Sequence, residues 1–476
     1  MDITGYTRVT TDFLETMARI VGRESILSDP EKTADYGHDE FSLRDIAAAP
    51  EVVVKPSTSR EVSEILKLAG SRRVPVTPRG GGTGLCGGCV PVLGGIVLSM
   101  ERMNGILEVD SGNQMAVVEA GATLAEFTAA VEEAGLYFPP HPGDESAMIG
   151  GLIATNAGGS RAVKYGTIRN YVRGLEVVIP SGDIIHLGGK LVKNSTGYSL
   201  LHLLIGSEGT LGVITRAVIQ VVAQPPRLRS LVIPFPDLES AIDSVPLLFR
   251  KKISPVALEF VERSVIGITE EFLHKRWPAR EGETHLLVIL DASTEEEMDR
   301  LSNGVAEVCL DKGALDIYIA DTAKKQEEVL AIRSKIYEAI KKDTLEILDI
   351  SVPRDAIAGH VRRVGQVAAK YGVWLPTFGH AADGNVHTHI MKARYEDGKI
   401  VELPESEWRA TLEKVREELY RDCRERGGVI SGEHGVGLVK KPYLSYAVDP
   451  AQIRLMRGIK RIFDPSGILN PQKIFD

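Results

Sequence analysis

The sequence predicts an α+β protein of more than one domain, and three observations predict it. The chain is 476 residues long, more than one hydrophobic core usually serves. Its first half sets short strand-like runs between three glycine-rich blocks. After Pro225-Pro226 glycine thins out, and strands alternate with longer amphipathic stretches. The paired prolines read as a domain boundary.

The elements follow in order. Residues 9–22 form a short amphipathic helix ended by Gly22. Loop signals fill Ser28 to Pro50. Glu51–Lys55 is a strand, and Ser57 to Ala69 a helix capped by Ser57 or Ser59, with Val62, Ile65, Leu66 and Ala69 on one face. Val74–Thr77 is a strand. Gly94–Ser99, Ile106–Asp110 and Met115–Ala120 are strand-like, and Leu124–Glu133 is a helix with Gly135 beyond its end. Val172–Pro180 and Asp183–Leu187 flank Ser181-Gly182 as a hairpin. In the second half, strands are expected at Ser230–Phe235, His285–Asp291 and Leu315–Ala320. Helices are expected at Asp237–Val245, Ser293–Lys312 and, as one long element, Asp321–Lys342. No internal repeat or low-complexity tract is present.

The glycine-rich blocks are the first functional signal. Pro75 to Pro91 contains Gly80-Gly81-Gly82, Gly84 and Gly87-Gly88. Glycine tolerates positive φ and lets backbone N–H groups approach a bound group, and successive amides make an anion-binding concavity. The diphosphate of a dinucleotide is the anion such a loop suits. The Gly-Lys-Ser/Thr ending of a nucleotide-triphosphate loop is missing, and so is the strand-to-helix setting of a nicotinamide fingerprint. A loop between two strands fits better. The second block runs from Pro139 through His141-Pro142-Gly143 to Gly158-Gly159, with Tyr165-Gly166 beyond, and reads as an extended, rigid entry. Gly206 to Thr215 is the third block and runs into a strand.

Composition excludes several classes. A formal charge of −9 and a pI near 5.8 give no footprint for nucleic acid. No apolar run reaches the length of a bilayer span, and the N-terminus lacks a signal pattern. The chain is read as cytoplasmic, reaching a membrane only through a partner. Four cysteines, Cys86, Cys89, Cys309 and Cys423, are too few for a disulfide framework. Cys86-Gly-Gly-Cys89 lacks the second pair that a zinc or iron–sulfur site needs, and reads as two small residues in a tight loop.

The second signal is a histidine cluster. Asp383-Gly384 is taken as the centre of a two-residue hairpin turn, which sets His380 opposite His387 on one face of the ribbon. His389 lies on the same face. Gly432-Glu433-His434-Gly435 places a carboxylate and an imidazole in a glycine-rich turn. Two imidazoles and a glutamate are the first shell of a catalytic metal site.

These motifs carry a family resemblance. Pro78-Arg-Gly-Gly-Gly-Thr-Gly-Leu, Ile149-Gly-Gly…Asn156-Ala-Gly-Gly and Gly206-Ser-Glu-Gly-Thr-Leu-Gly-Val-Ile-Thr resemble FAD-binding segments of the vanillyl-alcohol oxidase/p-cresol methylhydroxylase superfamily. Gly379-His-Ala-Ala-Asp-Gly-Asn-Val-His, Gly432-Glu-His-Gly and Gly467-Ile-Leu-Asn-Pro-Gln-Lys resemble the branch that oxidises D-2-hydroxy acids. That branch includes D-lactate dehydrogenase, the FAD subunit of glycolate oxidase and D-2-hydroxyglutarate dehydrogenase. The resemblance implies an N-terminal helical segment at 1–48 and a two-part FAD-binding domain at 49–226. An α/β substrate (cap) domain would occupy 227–424, and a C-terminal helical return segment 425–476. It implies FAD contacts from Pro78, Arg79, Gly80, Gly81, Gly82, Thr83, Gly84 and Leu85 in the first block. Pro142, Gly143, Ser146, Gly150, Gly151, Asn156, Gly158, Gly159, Tyr165 and Gly166 would serve in and after the second, with Glu208, Gly212, Val213 and Ile214 in the third, and Asn470 near the end.

The same resemblance makes His380, His387 and Glu433 the ligands of a divalent metal, zinc or another transition ion. His434 would be the base, and Arg333 and His389 substrate-binding residues. Thr83 stands where the superfamily carries a flavin-linking histidine, so FAD is expected to bind non-covalently. The implied reaction polarises the 2-hydroxyl on the metal, moves its proton to His434 and the C2 hydride to flavin N5. The chain departs from the family pattern at three places, and the last two bear on substrate. Ala382 replaces a glycine, Tyr337 stands where the hydroxyglutarate branch has threonine, and Ile347-Leu348 is apolar where that branch has lysine. D-lactate or glycolate is favoured over a dicarboxylate. Electrons would leave to an external acceptor, whether an electron-transfer flavoprotein, a quinone-linked partner or an iron–sulfur subunit, and a homodimer is compatible with the chain. The alternatives are a flavin-binding electron-relay subunit and a metal-dependent hydrolase. The first has no need of the histidine set, and the second leaves the glycine blocks unexplained.

Overall fold

The computed structural model describes residues 5–41, 43–396 and 399–475. The chain forms two compact units. One takes the chain up to Gly158, Thr167–Gln224 and Glu433 onward; the other takes Gly159–Gly166 and Pro225–Gly432. The expected boundary at 424 moves to Gly432 because Val429 exchanges two backbone hydrogen bonds with Ser351. These extend the second unit past the helix Glu405–Glu425. The segment expected at 1–48, whose first four residues and Ser42 lie outside those described, belongs to the first unit, where the helix Thr11–Val21 packs on the helix Ser59–Arg72.

The first unit holds β1 (Ile26–Leu27), β2 (Val52–Val54), β3 (Val76–Arg79) and β4 (Ile96–Ser99) in one sheet, order β1-β2-β4-β3. Next come β5 (Ile106–Asp110), β6 (Met115–Glu119), β7 (Leu136–Tyr137), β8 (Val172–Val178), β9 (Ile184–Gly188), β10 (Val213–Gln220) and β11 (Val222–Ala223). Five of them make an antiparallel sheet, order β5-β6-β10-β8-β9, and β7 pairs with β11. The pair β3–β4 is parallel. Parallel neighbours need a crossover of a dozen or more residues, and here the glycine-rich segment supplies it, leaving from the carboxyl end of β3. Leu469, near the end of the chain, bridges β3 at Val76.

Local capping chemistry explains the helices. Leu124–Glu133 starts on a reciprocal box between Thr123 and Glu126. The helix Ser59–Arg72 is capped by Thr58, not by Ser57 or Ser59. Thr58 accepts from the Glu61 N–H, and the Glu61 carboxylate reaches back to the Ser57 N–H at 2.7 Å. The helix Ile149–Thr155 was not expected inside a glycine-rich block. Burial of Ile149, Leu152 and Ile153 outweighs the low helix propensity of Gly150 and Gly151. A Cβ on Gly150 would meet the Ala120 side chain at 2.7 Å, so close packing requires the glycine.

The second unit is built on β12 (Arg227–Phe235), β13 (Ala257–Glu262), β14 (Thr284–Ala292), β15 (Tyr318–Ala320), β16 (Thr344–Ser351), β17 (Thr377–His380) and β18 (Asn385–Met391). All seven are antiparallel, in the order β15-β12-β14-β13-β17-β18-β16. A hairpin of β19 (Ala393–Glu396) and β20 (Lys399–Glu402) follows. The expected helix 321–342 is broken at Lys335 (φ −101°, ψ 7°) into Ala323–Ser334 and Ile336–Ile340. Ile332, Ile336 and Ile340 bury against Trp277, Trp374 and Phe378 in one core. All three tryptophans of the chain, Trp277, Trp374 and Trp408, lie in this unit.

Candidate active site

In the first unit the three glycine blocks converge. A Cβ on Gly81 would sit 2.9 Å from the Ser146 carbonyl oxygen, and one on Gly80 3.7 Å from Gly151. A Cβ on Gly209 would lie 3.4 Å from Pro78, and one on Gly206 3.3 Å from Asn156. Gly82 and Asn156 are in the left-handed region, at φ 75° and 53°. The backbone N–H groups of Gly80, Gly81, Gly82, Thr83 and Gly84 donate to no other described residue, and neither do those of Gly151 and Gly158. A run of free amides in a glycine-rich loop is a cradle for an anionic, flat or extended ligand. It suits the diphosphate of FAD. Among the remaining expected contacts in this unit, Leu85, Pro142 and Gly143 lie in the connecting loops, and Gly212, Val213 and Ile214 enter β10.

Side chains brace this cradle. Arg79 does not project a free guanidinium toward a phosphate. It donates to the carbonyls of His38 (2.6 Å) and Asp35 (3.0 Å) and to the Cys89 sulfur, and it lies over the Tyr36 ring. Asn470 donates to the carbonyls of Gly88 (2.9 Å) and Glu208 (2.7 Å), tying the end of the chain to the first and third blocks. The Glu208 carboxylate accepts from the N–H groups of Val436 (2.8 Å) and Gly437 (2.7 Å). Burial pushes its carboxyl up, and those two amides pull against that. Cys86 donates to the Gly435 carbonyl, and neither it nor Cys89 is in a disulfide. The turn that carries Glu433 and His434 is therefore held by the first and third blocks. Glu433 also lies against the second: a Cβ on Gly158 would meet its Oε2 at 2.5 Å. Gly159, Tyr165 and Gly166 belong to the second unit, where Tyr165 donates to Asp291 at 3.0 Å.

The second unit carries the histidines. The β17–β18 turn is not the two-residue turn expected. Residues 381–384 form the loop, and Asp383 and Gly384 both donate backward to the His380 carbonyl. The pairing becomes Phe378 with His387 and His380 with Asn385. The slip from the expected register is two residues, so the faces are preserved. His380 and His387 are diagonal neighbours on one face, with their Nε2 atoms 3.5 Å apart.

Each imidazole has a carboxylate opposite it on the outer neighbouring strand. Glu259 of β13 pairs with His380, and Asp349 of β16 pairs with His387. His380 donates from Nδ1 to Glu259 Oε1 at 2.5 Å. Asp349 Oδ1 lies 3.9 Å from His387 Nδ1 and accepts from Asn385 at 2.8 Å, while its other oxygen accepts from Ser431 at 2.8 Å. Burial alone would raise the Glu259 carboxyl, but His380 and Arg333 bring it down to about 2. It stays ionised. Sequence reasoning missed both acids. Their signal was a lone carboxylate inside an apolar strand run, in Ala257-Leu-Glu-Phe-Val and Ile347-Leu-Asp-Ile, where an unpaired charge is not tolerated.

Arg333 is more committed than expected. Its Nε (3.0 Å) and Nη2 both donate to Glu259 Oε2, which leaves Nη1 for another acceptor. Its guanidinium lies over Phe378, and Phe378 stacks on His389 with centroids 4.8 Å apart. The Tyr337 ring also contacts His389, tilted against it with centroids 5.8 Å apart. The donor set fits a divalent transition ion. Metal-bound imidazoles characteristically give their second N–H to a carboxylate, leaving the other nitrogen as ligand, and His380 is held in that way.

Comparisons with known proteins bear on the flavin part of this arrangement. Residues 224–474 match the family described as FAD linked oxidases, C-terminal domain, and residues 50–188 match an FAD binding domain. The chain is 49% identical to a D-lactate dehydrogenase of Archaeoglobus fulgidus over 90% of its own length and 92% of that protein's. It is 36% identical to the glycolate oxidase subunit GlcD of Bacillus subtilis over 98% and 97%. A 4-ethylphenol oxidase from Gulosibacter chungangensis shares the fold at a TM-score of 0.79 and 20% identity, covering 99% of this chain and 98% of that one.

Proposed function

The chain belongs to the FAD-linked oxidases, and from that premise we propose that it oxidises a small D-2-hydroxy acid, D-lactate or glycolate, to the 2-oxo acid. The observation that carries the reading is the pair His380 and His387, whose Nε2 atoms lie 3.5 Å apart, with His380 braced by a buried, ionised glutamate. Relatives named for D-lactate and glycolate support the substrate class.

When bound, non-covalent FAD supplies the hydride acceptor, and a divalent ion held by His380, His387 and Glu433 supplies Lewis-acid polarisation of the hydroxyl. The chain's own residues do the rest. His380 and His387 would offer Nε2 to that ion. Glu433 follows directly on Gly432, whose N–H donates to the Asp349 carbonyl at 2.9 Å. His434, next in the chain, takes the hydroxyl proton as general base. Nη1 of Arg333 receives the substrate carboxylate. The stack of Phe378, His389 and Tyr337 fills the space beside that guanidinium with rings and favours a short C3 substituent over a second carboxylate. Electrons leave the flavin to an acceptor outside this chain.

The test is anaerobic mixing of the purified holoprotein with D-lactate, L-lactate, glycolate and D-2-hydroxyglutarate. D-lactate or glycolate should bleach the flavin fastest. Failure of all four to bleach a metal-loaded, flavin-loaded protein overturns the assignment.

A further inference from the structure

Two arms of the proposed site meet at one carboxylate. Glu259 is 1% exposed and stands directly opposite His380 in the β13–β17 ladder. Its Oε1 accepts from His380 Nδ1, and its Oε2 accepts from Arg333 Nε and Nη2. Three charge-assisted hydrogen bonds compensate the burial of this anion. We propose that Glu259 is the positioning residue of the reaction: it fixes His380 in the Nδ1–H tautomer with Nε2 turned to the metal position, and it fixes Arg333 so that Nη1 is left for the substrate carboxylate. The inference rests on the reading above for the identity of the ion and the acid. The tautomer it assigns stands on the hydrogen bonds alone.

A glutamine in this place separates positioning from packing. It has the same shape, but only one of its two arms accepts hydrogen bonds. The guanidinium can only donate, so it takes the amide oxygen. The amide NH2 then faces His380 Nδ1, which must become the acceptor. The proton moves to Nε2, and the lone pair that would serve as metal ligand is lost. Aspartate keeps the charge but is one methylene shorter, and cannot reach both partners from the same strand position.

The experiment compares the wild type with Glu259→Gln and Glu259→Asp. Histidine is labelled with 15N, and long-range 1H–15N spectra are recorded on the metal-free protein near pH 9, where imidazole is neutral (ordinary pKa about 6.5). His380 is assigned by its disappearance in His380→Gln. The wild type is expected to show Nδ1–H and Glu259→Gln to show Nε2–H, with flavin absorbance and tryptophan emission unchanged. Zinc affinity, measured by competition with a chelating dye, is expected to fall about 10- to 100-fold in Glu259→Gln. KM for D-lactate should rise in both variants. A wild-type His380 protonated at Nε2 overturns the proposal even if neither variant folds. So does a Glu259→Gln protein with unchanged tautomer and zinc affinity. A wild type that takes up no zinc or other divalent ion sinks the metal reading, while the tautomer still decides the role of Glu259.

Discussion

The candidate sites of the two units are built by opposite means. In the first, the cradle is backbone: free amides from Gly80 to Gly84, at Gly151 and at Gly158, with no room for a Cβ at Gly81 or Gly158. In the second, the site is side chain: two imidazoles, each facing a carboxylate across a strand pair, and a guanidinium held by one of those carboxylates. A diphosphate needs a surface that conforms to it. An oxidation needs lone pairs aimed at one point.

The contrast can be broken most forcefully at Gly81. Gly81→Val would press its side chain on the Ser146 carbonyl, which is backbone and cannot yield cheaply. The expected outcome is a colourless protein with no detectable turnover, with tryptophan emission unaltered because every tryptophan is in the other unit. Retention of yellow colour would remove the backbone cradle from the account.

His434→Asn comes next. The yellow colour should remain while the rate of flavin bleaching by D-lactate falls about 10²- to 10⁴-fold, the range typical of a lost general base. Chelation sharpens the same side: dialysis against a strong chelator should abolish bleaching, leave the flavin spectrum in place, and be reversed by zinc or a similar ion. A preparation that keeps full activity after the metal is removed would refute the role given to His380 and His387.

The smallest effect is on stability. His285 is fully buried, and Trp277 donates to its Nδ1 at 2.9 Å. Burial, with a lesser push from Arg263, lowers its pKa from 6.5 to about 4. The folded state therefore refuses a proton that the unfolded chain accepts. The contribution is fully present above pH 6.5 and is lost as pH falls toward 4, with an upper bound of about 3 kcal/mol. Urea unfolding followed by tryptophan emission at several pH values should show this slope in the wild type and a flatter one in His285→Gln.

Legibility in the sequence follows the same division. The helix Leu124–Glu133 could be read because local chemistry decides it. So could the glycine blocks, since a missing Cβ is visible in the sequence. What escaped depends on neighbours distant in sequence. The helix Ile149–Thr155 is stabilised by burial rather than propensity. The β13 partner of His380 lies 121 residues away. The register of the β17–β18 hairpin turned on a loop of four residues instead of two, a choice made by the bonds from Asp383 and Gly384 to the His380 carbonyl. Arg333 was readable as a functional cation but not as one already paired, because its partner sits in a strand that no local pattern revealed.

The flavin-side unit is stitched from stretches that leave the ribosome at very different times. Val76 and Gly88 are made early, yet the residues that bridge and clamp them, Leu469 and Asn470, emerge only after the whole of Pro225–Gly432. A nascent chain must therefore keep one flank of its first sheet open while the other unit, made of Gly159–Gly166 and Pro225–Gly432, already has all its residues. Cofactor capture becomes a late event in biogenesis, and a chain cut short before Leu469 should accumulate a folded tryptophan-bearing unit that never turns yellow.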